Sequence, residues 1–405
     1  MHRIRIILTF SFLVCLLPLA AQSLSPQASI SLLTYSPGDQ LYTTFGHSAL
    51  RVKDPAQSLD IVFNYGTFDF DEAGFYFKFM RGKLNYKLSA YDYRYVELEQ
   101  DRRQMDVREQ VFNLNPTQTQ ALFDFLNINL LPENRFYLYD FFFDNCATRI
   151  PDALEDVLGN DFQLDTTFIP GNERMTFREL ISVYLAPQPW GDFGIDLALG
   201  APIDIKATPR QYMFLPDYLA EGLAGSKIIQ QGQAEPFVRS DEIILSGTKE
   251  VVPPPEYTQP RWMFSLLFGT FLLWAILTRK LKPAYWPDMV LLTLYSLLGI
   301  LLLFLWFATD HQATHHNWNL LWAHPLHLIT VVLLARKKKG IGTKLYLLTN
   351  GFLYLGIIAC WDMVPQEYHP AAIPLVLLLA FRYFYQYHQI NLRQQVPRVS
   401  ARATS

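Results

Sequence analysis

From residue 261 onward the chain alternates long apolar runs with short, strongly basic breaks, and no other feature constrains the fold as tightly. Five runs stand out, at 262–278, 289–308, 318–335, 345–361 and 371–385. Most approach the roughly 20 residues that a helix needs to cross a hydrocarbon core, where every backbone polar group must be satisfied within the element; the last is short enough to tilt or to end at the interface. Trp and Tyr gather at their ends, among them Trp262, Trp286, Trp318, Trp361 and Tyr385, as an interfacial aromatic belt requires. The breaks alternate in charge. Arg279, Lys280 and Lys282 follow the first run, Arg336 to Lys339 and Lys344 the third, and Arg382, Arg393, Arg398 and Arg402 mark the end of the fifth. The intervening loops, 309–317 and 362–370, contain no Lys or Arg. Under the positive-inside rule this pattern predicts five spans, with residues 22–260 on the outer side.

Charge separates the two parts. Only 18% of the chain is charged, against about 25% in soluble proteins. Residues 22–260 hold 19 Lys/Arg against 33 Asp/Glu, a net of −14, whereas residues 261–405 carry +9. The high apolar content excludes intrinsic disorder, three cysteines exclude a disulfide scaffold, and a pI near 6.3 gives no sign of nucleic acid. Arg3 and Arg5, the apolar stretch 6–20 and the small pair Ala20–Ala21 read as a secretory signal peptide. The expected organisation is a signal peptide (1–21), an external catalytic domain (22–250), a stiff linker rich in Pro253, Pro254, Pro255 and Pro260 (251–260), an all-α transmembrane domain (261–390) and a cytoplasmic tail (391–405).

Residues 22–260 contain one cysteine, Cys146, and one histidine, His47. A lone thiol in an oxidising compartment is either a packing residue or a reactive group, and beside a lone histidine it is a candidate nucleophile with its base. His47 opens an alternating stretch to Val52 that reads as a strand, with Gly46 at its start. Residues 54–60 are turn material, and 61–66 read as the hairpin partner. That pairing returns Asn64 to the neighbourhood of His47, where an amide or carboxylate orients the imidazole; Asn64 is the first candidate and Asp69 the second. Cys146 follows the helix-capping types Asp144 and Asn145, and Ile150, Leu154 and Leu158 recur at helical spacing before Gly159. Cys146 is therefore expected at a helix start, where free N–H groups favour a thiolate and can receive an oxyanion. Pro151 is compatible only if it falls in the first turn, which leaves a start nearer Thr148 as the alternative, with a weaker influence of the helix dipole on the thiol.

The segments FGHSALRV, VFNYGTFDF and DNCATRI, followed by apolar helices carrying an NWNLLWAHPL loop, resemble the Lnb family, the lipoprotein N-acyltransferases of Bacteroides-type bacteria. Phe45-Gly46-His47 ahead of Asn145-Cys146 is also similar to the circularly permuted papain-like superfamily, which includes NlpC-type peptidases and the lecithin:retinol acyltransferases. The resemblance implies an α+β, papain-like periplasmic domain on a five-helix inner-membrane bundle. It also implies Cys146 and His47 as a catalytic pair, a phospholipid acyl donor and a diacylglyceryl lipoprotein acceptor. No cofactor is expected, and no metal, because His311 and His315 have ligand spacing but no third ligand follows and there is no HExxH. Arg51 and Arg149, each close to a member of the pair, are candidate partners for the donor phosphate, although ion pairing within so acidic a domain is the more ordinary fate of both. His311, His315 and His316, in the external loop, are candidate headgroup contacts. His324 and His327 share a face of the third run, either as a functional pair or as neutral groups bonded within the bundle. A tethered cysteine peptidase or peptidoglycan amidase, and a non-enzymatic envelope assembly or transport protein, are the alternatives.

Overall fold

The computed structural model describes residues 23–68, 74, 77–78, 81–248, 252–278, 284–336 and 339–395. The expected signal peptide, Asp69 and the basic residues Arg279, Lys280, Lys282, Lys337 and Lys338 lie outside them.

The first part is built on a seven-stranded, wholly antiparallel sheet. Its strands are β1 (Ser29–Tyr35), β2 (His47–Asp54), β3 (Leu59–Thr67), β4 (Asn85–Asp92), β5 (Val107–Phe112), β6 (Phe136–Leu138) and β10 (Val238–Leu245), in the order β10-β5-β1-β2-β3-β4-β6. Three short strands, β7 (Phe162–Gln163), β8 (Lys227–Gln230) and β9 (Gln233–Pro236), form a second sheet. The side-chain period of two puts Leu32, Leu50, Val52 and Phe63 on one face, where the helices Pro116–Leu130 and Arg149–Leu158 cover them with Leu122, Phe123, Leu126, Ile150 and Leu154. Leu33, Ala49 and Val62 point the other way, against Val96 of the helix Arg94–Arg103. The hairpin of β2 and β3 has the expected turn, closed by Pro55–Gln57. There the buried Asp54 carboxylate accepts from the N–H groups of Ala56 and Ser25 and from the Ser25 hydroxyl.

The C-terminal part is helical. Three of its helices, Pro260–Thr278, Trp286–Phe307 and Ile341–Ala359, are long and apolar enough to cross a membrane. The other two expected spans take different forms. Residues 318–335 do not make one helix: Trp318–Leu321 is a single 3-10 turn, Pro325 interrupts the ladder, and the regular helix is only His327–Ala335. His327 bonds across this break, its Nε2 to the Trp322 carbonyl at 2.8 Å and its Nδ1 to the Tyr383 hydroxyl at 2.9 Å. His324 stacks on it at 4.3 Å between centroids and contacts the Tyr354 hydroxyl. Both histidines are thus bonded within the bundle. The last helix, Ala372–Gln395, is longer than its apolar run, and Arg382, Gln386 and Gln389 on it are buried. Arg382 is 1% exposed and grips Asp288 of the second helix through two hydrogen bonds of 2.6 and 2.8 Å, with Gln386 on the same carboxylate.

The two parts are joined by more than the linker. The helix Pro189–Ala198 ends with carbonyls that no later turn satisfies. Asn317 donates to Leu197 at 2.9 Å and Ala198 at 3.1 Å, Asn319 to Leu197, and Gln366 to Leu199 at 3.0 Å. All three donors are buried side chains of the membrane part's outer loops. Gly200 N–H donates to the Ala313 carbonyl at 2.8 Å, and the His315 carbonyl lies so close to Gly200 that a Cβ there would sit 1.9 Å from its oxygen. Replacing Asn317 and Gln366 together by Ala is therefore expected to speed amide hydrogen exchange at 197–203 while leaving exchange in β1 and β2 unchanged. Equal acceleration in both regions would show general unfolding instead.

Candidate active site

The start of β2 carries His47, and the backbone there admits only glycine before it. Gly46 has φ +72°, and a Cβ on it would lie 2.6 Å from the Tyr35 carbonyl oxygen. His47 Nε2 is 2.7 Å from Asn64 Oδ1, on the neighbouring strand β3. The Asn64 amide nitrogen donates to the Tyr91 hydroxyl at 3.2 Å, which orients Oδ1 toward the ring. An amide oxygen only accepts, so Nε2 carries the proton. That leaves Nδ1 for the hydrogen bond with the Cys146 thiol. Asp69, the second candidate for this orienting role, is outside the described residues.

Cys146 is held by its neighbour. Asn145 Oδ1 accepts from the N–H groups of Ala147 and Thr148 at 2.8 and 2.9 Å, while its amide nitrogen donates to the carbonyls of Phe141 and Phe214, both at 2.8 Å. The regular helix begins at Arg149 rather than at Cys146, and Pro151 falls in its first turn. This alters the expected source of oxyanion donors. The Ala147 and Thr148 N–H groups are occupied by Asn145, and the donors facing the sulfur are the backbone N–H groups of Ser48 and of Cys146 itself.

Two further residues form the wall of this space. Gly66 has φ +91° at a bulge in the β3–β4 ladder, and a Cβ there would be 3.5 Å from Cys146 Cβ and 4.0 Å from His47 Cε1. Tyr139 faces the same space and stacks on Tyr86 at 4.2 Å. The glycine within VFNYGTFDF is a possible signal for the first, and the aromatic stretch from Tyr137 to Phe143, which reads as core or as the lining of an acyl groove, is one for the second.

The other candidates lie elsewhere. Arg149 forms two hydrogen bonds with Asp144, at 2.6 and 2.8 Å, and lies 3.6 Å from the Tyr137 ring centroid. Arg51 is buried, doubly bonded to Asp60 at 2.7 Å, bonded to Glu109 at 3.2 Å, and 3.4 Å from the centroid of Tyr93. Both guanidiniums are committed to carboxylates, so the structure does not present them as phosphate receptors. The loop histidines belong to the junction between the two parts: His311 packs on Gly82, His315 offers its carbonyl surface to Gly200, and His316 meets Trp306 at 5.2 Å. Among the described residues no group of three His, Cys, Asp or Glu side chains is placed to hold a metal ion.

The electrostatics bind the pair together. Burial pushes the Cys146 thiol up, but the charge of His47, its hydrogen bond and the two N–H groups outweigh burial and hold the thiol below its ordinary range. Burial likewise pushes the imidazole down, while the charge and hydrogen bond of Cys146, helped by Asn64, hold it above its ordinary value. A buried thiol and imidazole that each favour the other's charged form can act as a nucleophile with its acid–base partner.

Fold and site together define a membrane protein with a sheet-rich periplasmic domain and a helical membrane region. Residues 20–183 match the Lnb N-terminal periplasmic domain and residues 254–394 the Lnb transmembrane domain. The chain belongs to the Lnb family. No curated protein and no solved structure matches it.

The pH dependence of thiol alkylation tests the pair. In the full chain with Cys360→Ser, alkylation of Cys146, read on its own peptide, is expected to rise with an inflection below the ~8.5 of a free cysteine. His47→Ala removes the main lowering influences and leaves burial, so its inflection should move above that value. An unmoved inflection would show that His47 does not govern the thiol.

Proposed function

We propose that the protein is a lipoprotein N-acyltransferase that works through a thioester on Cys146. The observation that carries this reading is the contact of His47 with both Cys146 and Asn64, in a domain fixed to a membrane region of the Lnb family. The thiolate attacks the carbonyl carbon of a phospholipid acyl ester. Carbon–oxygen cleavage releases the lysophospholipid alkoxide, which takes the proton from the His47 imidazolium, and the acyl group stays on sulfur. The free N-terminal amine of a diacylglyceryl lipoprotein then attacks the thioester. His47, now neutral, accepts the amine proton through Nδ1, the carbon–sulfur bond breaks, and the thiolate returns as the amide forms.

The backbone N–H groups of Ser48 and Cys146 stabilise the oxyanion in both steps, and Asn64 keeps the ring in the tautomer that leaves Nδ1 toward sulfur. The space beside the sulfur, kept open by Gly66 and walled by Tyr139, admits the ester. The domain is papain-like in the arrangement of its reactive groups, with the histidine strand ahead of the cysteine turn. A fixed position at the outer face of the inner membrane lets the enzyme take both lipids in place rather than extract them.

Mass spectrometry of lipoprotein N-termini tests the reaction. Cells relying on this protein should carry an N-acyl chain on their lipoproteins, and Cys146→Ala should abolish it. His47→Ala should slow purified transfer roughly 100-fold or more, and Asn64→Ala by a smaller factor. An unchanged acyl count with Cys146→Ala would exclude the thioester route. Peptide or peptidoglycan cleavage without any change in acylation would assign the same pair to hydrolysis.

A further inference from the structure

The acidic periplasmic domain contains one stretch of opposite character. Residues 73–91 include Lys78, Arg81, Lys83 and Lys87 and no Asp or Glu. The described part of this stretch leads into β4, whose partner β6 is the edge of the sheet, and the register places Lys87 opposite Phe136 and Asn85 opposite Leu138. Residues directly opposite share a face. One face of this ladder carries Tyr86 and Tyr137 into the core, and the other presents Lys87, Asn85, Phe136 and Leu138 outward. Phe136 is 50% exposed and Leu138 55%. Scattered exposed apolar residues are ordinary, but two neighbouring ones on the last strand of the sheet, beside lysines, are the composition of an interfacial surface.

The position of this edge is set by the junction. The Arg81 carbonyl accepts the Asp310 N–H at 3.0 Å, Lys83 Nζ lies 3.3 Å from Asp310 Oδ2, and Gly82 packs on His311. Asp310 stands three residues beyond the end of the membrane helix Trp286–Phe307, whose Phe307 is exposed. The segment that leads into β4 is thereby held beside the outer end of that membrane helix.

We propose that this face is a docking surface for the outer phospholipid leaflet, with Phe136 and Leu138 entering the interface and Lys87 and Arg81 beside lipid phosphates. Local positive charge is what such a contact requires of a domain whose net charge of −14 would otherwise be repelled by anionic lipid. Seven residues separate Leu138 from Cys146, and Tyr139, next to Leu138, already lines the site. The surface therefore presses the mouth of the site against the leaflet. This placement does not depend on which reaction the site performs.

The test uses the full chain in vesicles of phosphatidylethanolamine and phosphatidylglycerol, with a photoreactive benzophenone amino acid introduced at position 136, 138 or 243. Ile243 is the control: it is 60% exposed and lies on β10, the opposite edge of the same sheet. Lipid adducts are expected at 136 and 138 with a yield roughly tenfold above that at 243, as for a side chain buried among headgroups against one in water. Equal yields at the two edges, or adducts at 136 and 138 to a second copy of the chain or to another protein, would overturn the proposal.

Discussion

The junction between the two parts depends on one guanidinium. Arg178 is 2% exposed and reaches in every direction its donors allow: to the carboxylates of Asp196 and Asp204 and to the carbonyls of Asp196, Leu199 and Gly200. Asp204 in turn accepts the Glu367 N–H from the membrane part. A planar fork with five donors is the one side chain able to close a helix end, hold two acids and leave no proton unpaired. Such a pair contributes little net stability when intact, because both ions are dehydrated, yet removing one partner costs about 3–5 kcal/mol. What Arg178 supplies is definition. Asn317 and Asn319 fill the carbonyls it leaves open, at Leu197 and Ala198, and Gln366 shares that of Leu199, so the membrane loops complete a helix that begins in the periplasmic domain.

This arrangement reaches the site through packing. Leu199, Ile203 and Ala313 share an aromatic cluster with Phe142, Phe177, Phe214, Phe141 and Phe45. Phe45 and Phe141 meet edge to face at 4.8 Å; the first precedes Gly46 and His47, and the second offers its carbonyl to Asn145. Asn145 therefore ties the cysteine turn to the same cluster that receives the membrane loop. An orientation set at the junction is carried to His47 and Cys146 by close-packed rings, which deform less readily than a tether.

Much of this was legible in the sequence, and the gaps have a common cause. A lone cysteine, a lone histidine and a hairpin that returns Asn64 are local facts, and the structure brings those three residues together. The cut near residue 260 was equally plain from charge. Tertiary pairing was legible only in kind: ion pairing is the ordinary fate of Arg51 and Arg149 in so acidic a domain, but the acids that hold them, Asp60, Glu109 and Asp144, are chosen by the fold rather than by sequence neighbours alone. Arg178 is the second residue of the helix Phe177–Leu185, capped by Thr176, and nothing local marks it as the centre of the junction. Hydropathy counts apolar side chains and cannot follow the backbone, so 318–335 read as one span although Pro325 and the bonded His327 divide it. It also stopped the last helix at 385, because Gln386 and Gln389 are polar, although both are buried against neighbouring helices.

The charge split then acquires a local meaning. A thiolate inside a domain of −14 is opposed by every distant carboxylate, but interactions between exposed charges fade beyond about 8–10 Å in physiological salt. His47 and two N–H groups act at contact, in a buried site where screening is weak, so proximity prevails over net charge. The same inequality holds at the membrane. The domain as a whole is acidic, yet only the few side chains within a Debye length of the lipid phosphates determine whether it can lie on them, and in the stretch leading to the β6 edge those side chains are lysines and an arginine. Net charge keeps the domain soluble and apart from its neighbours; position decides where it forms an ion pair and which of its edges meets the bilayer.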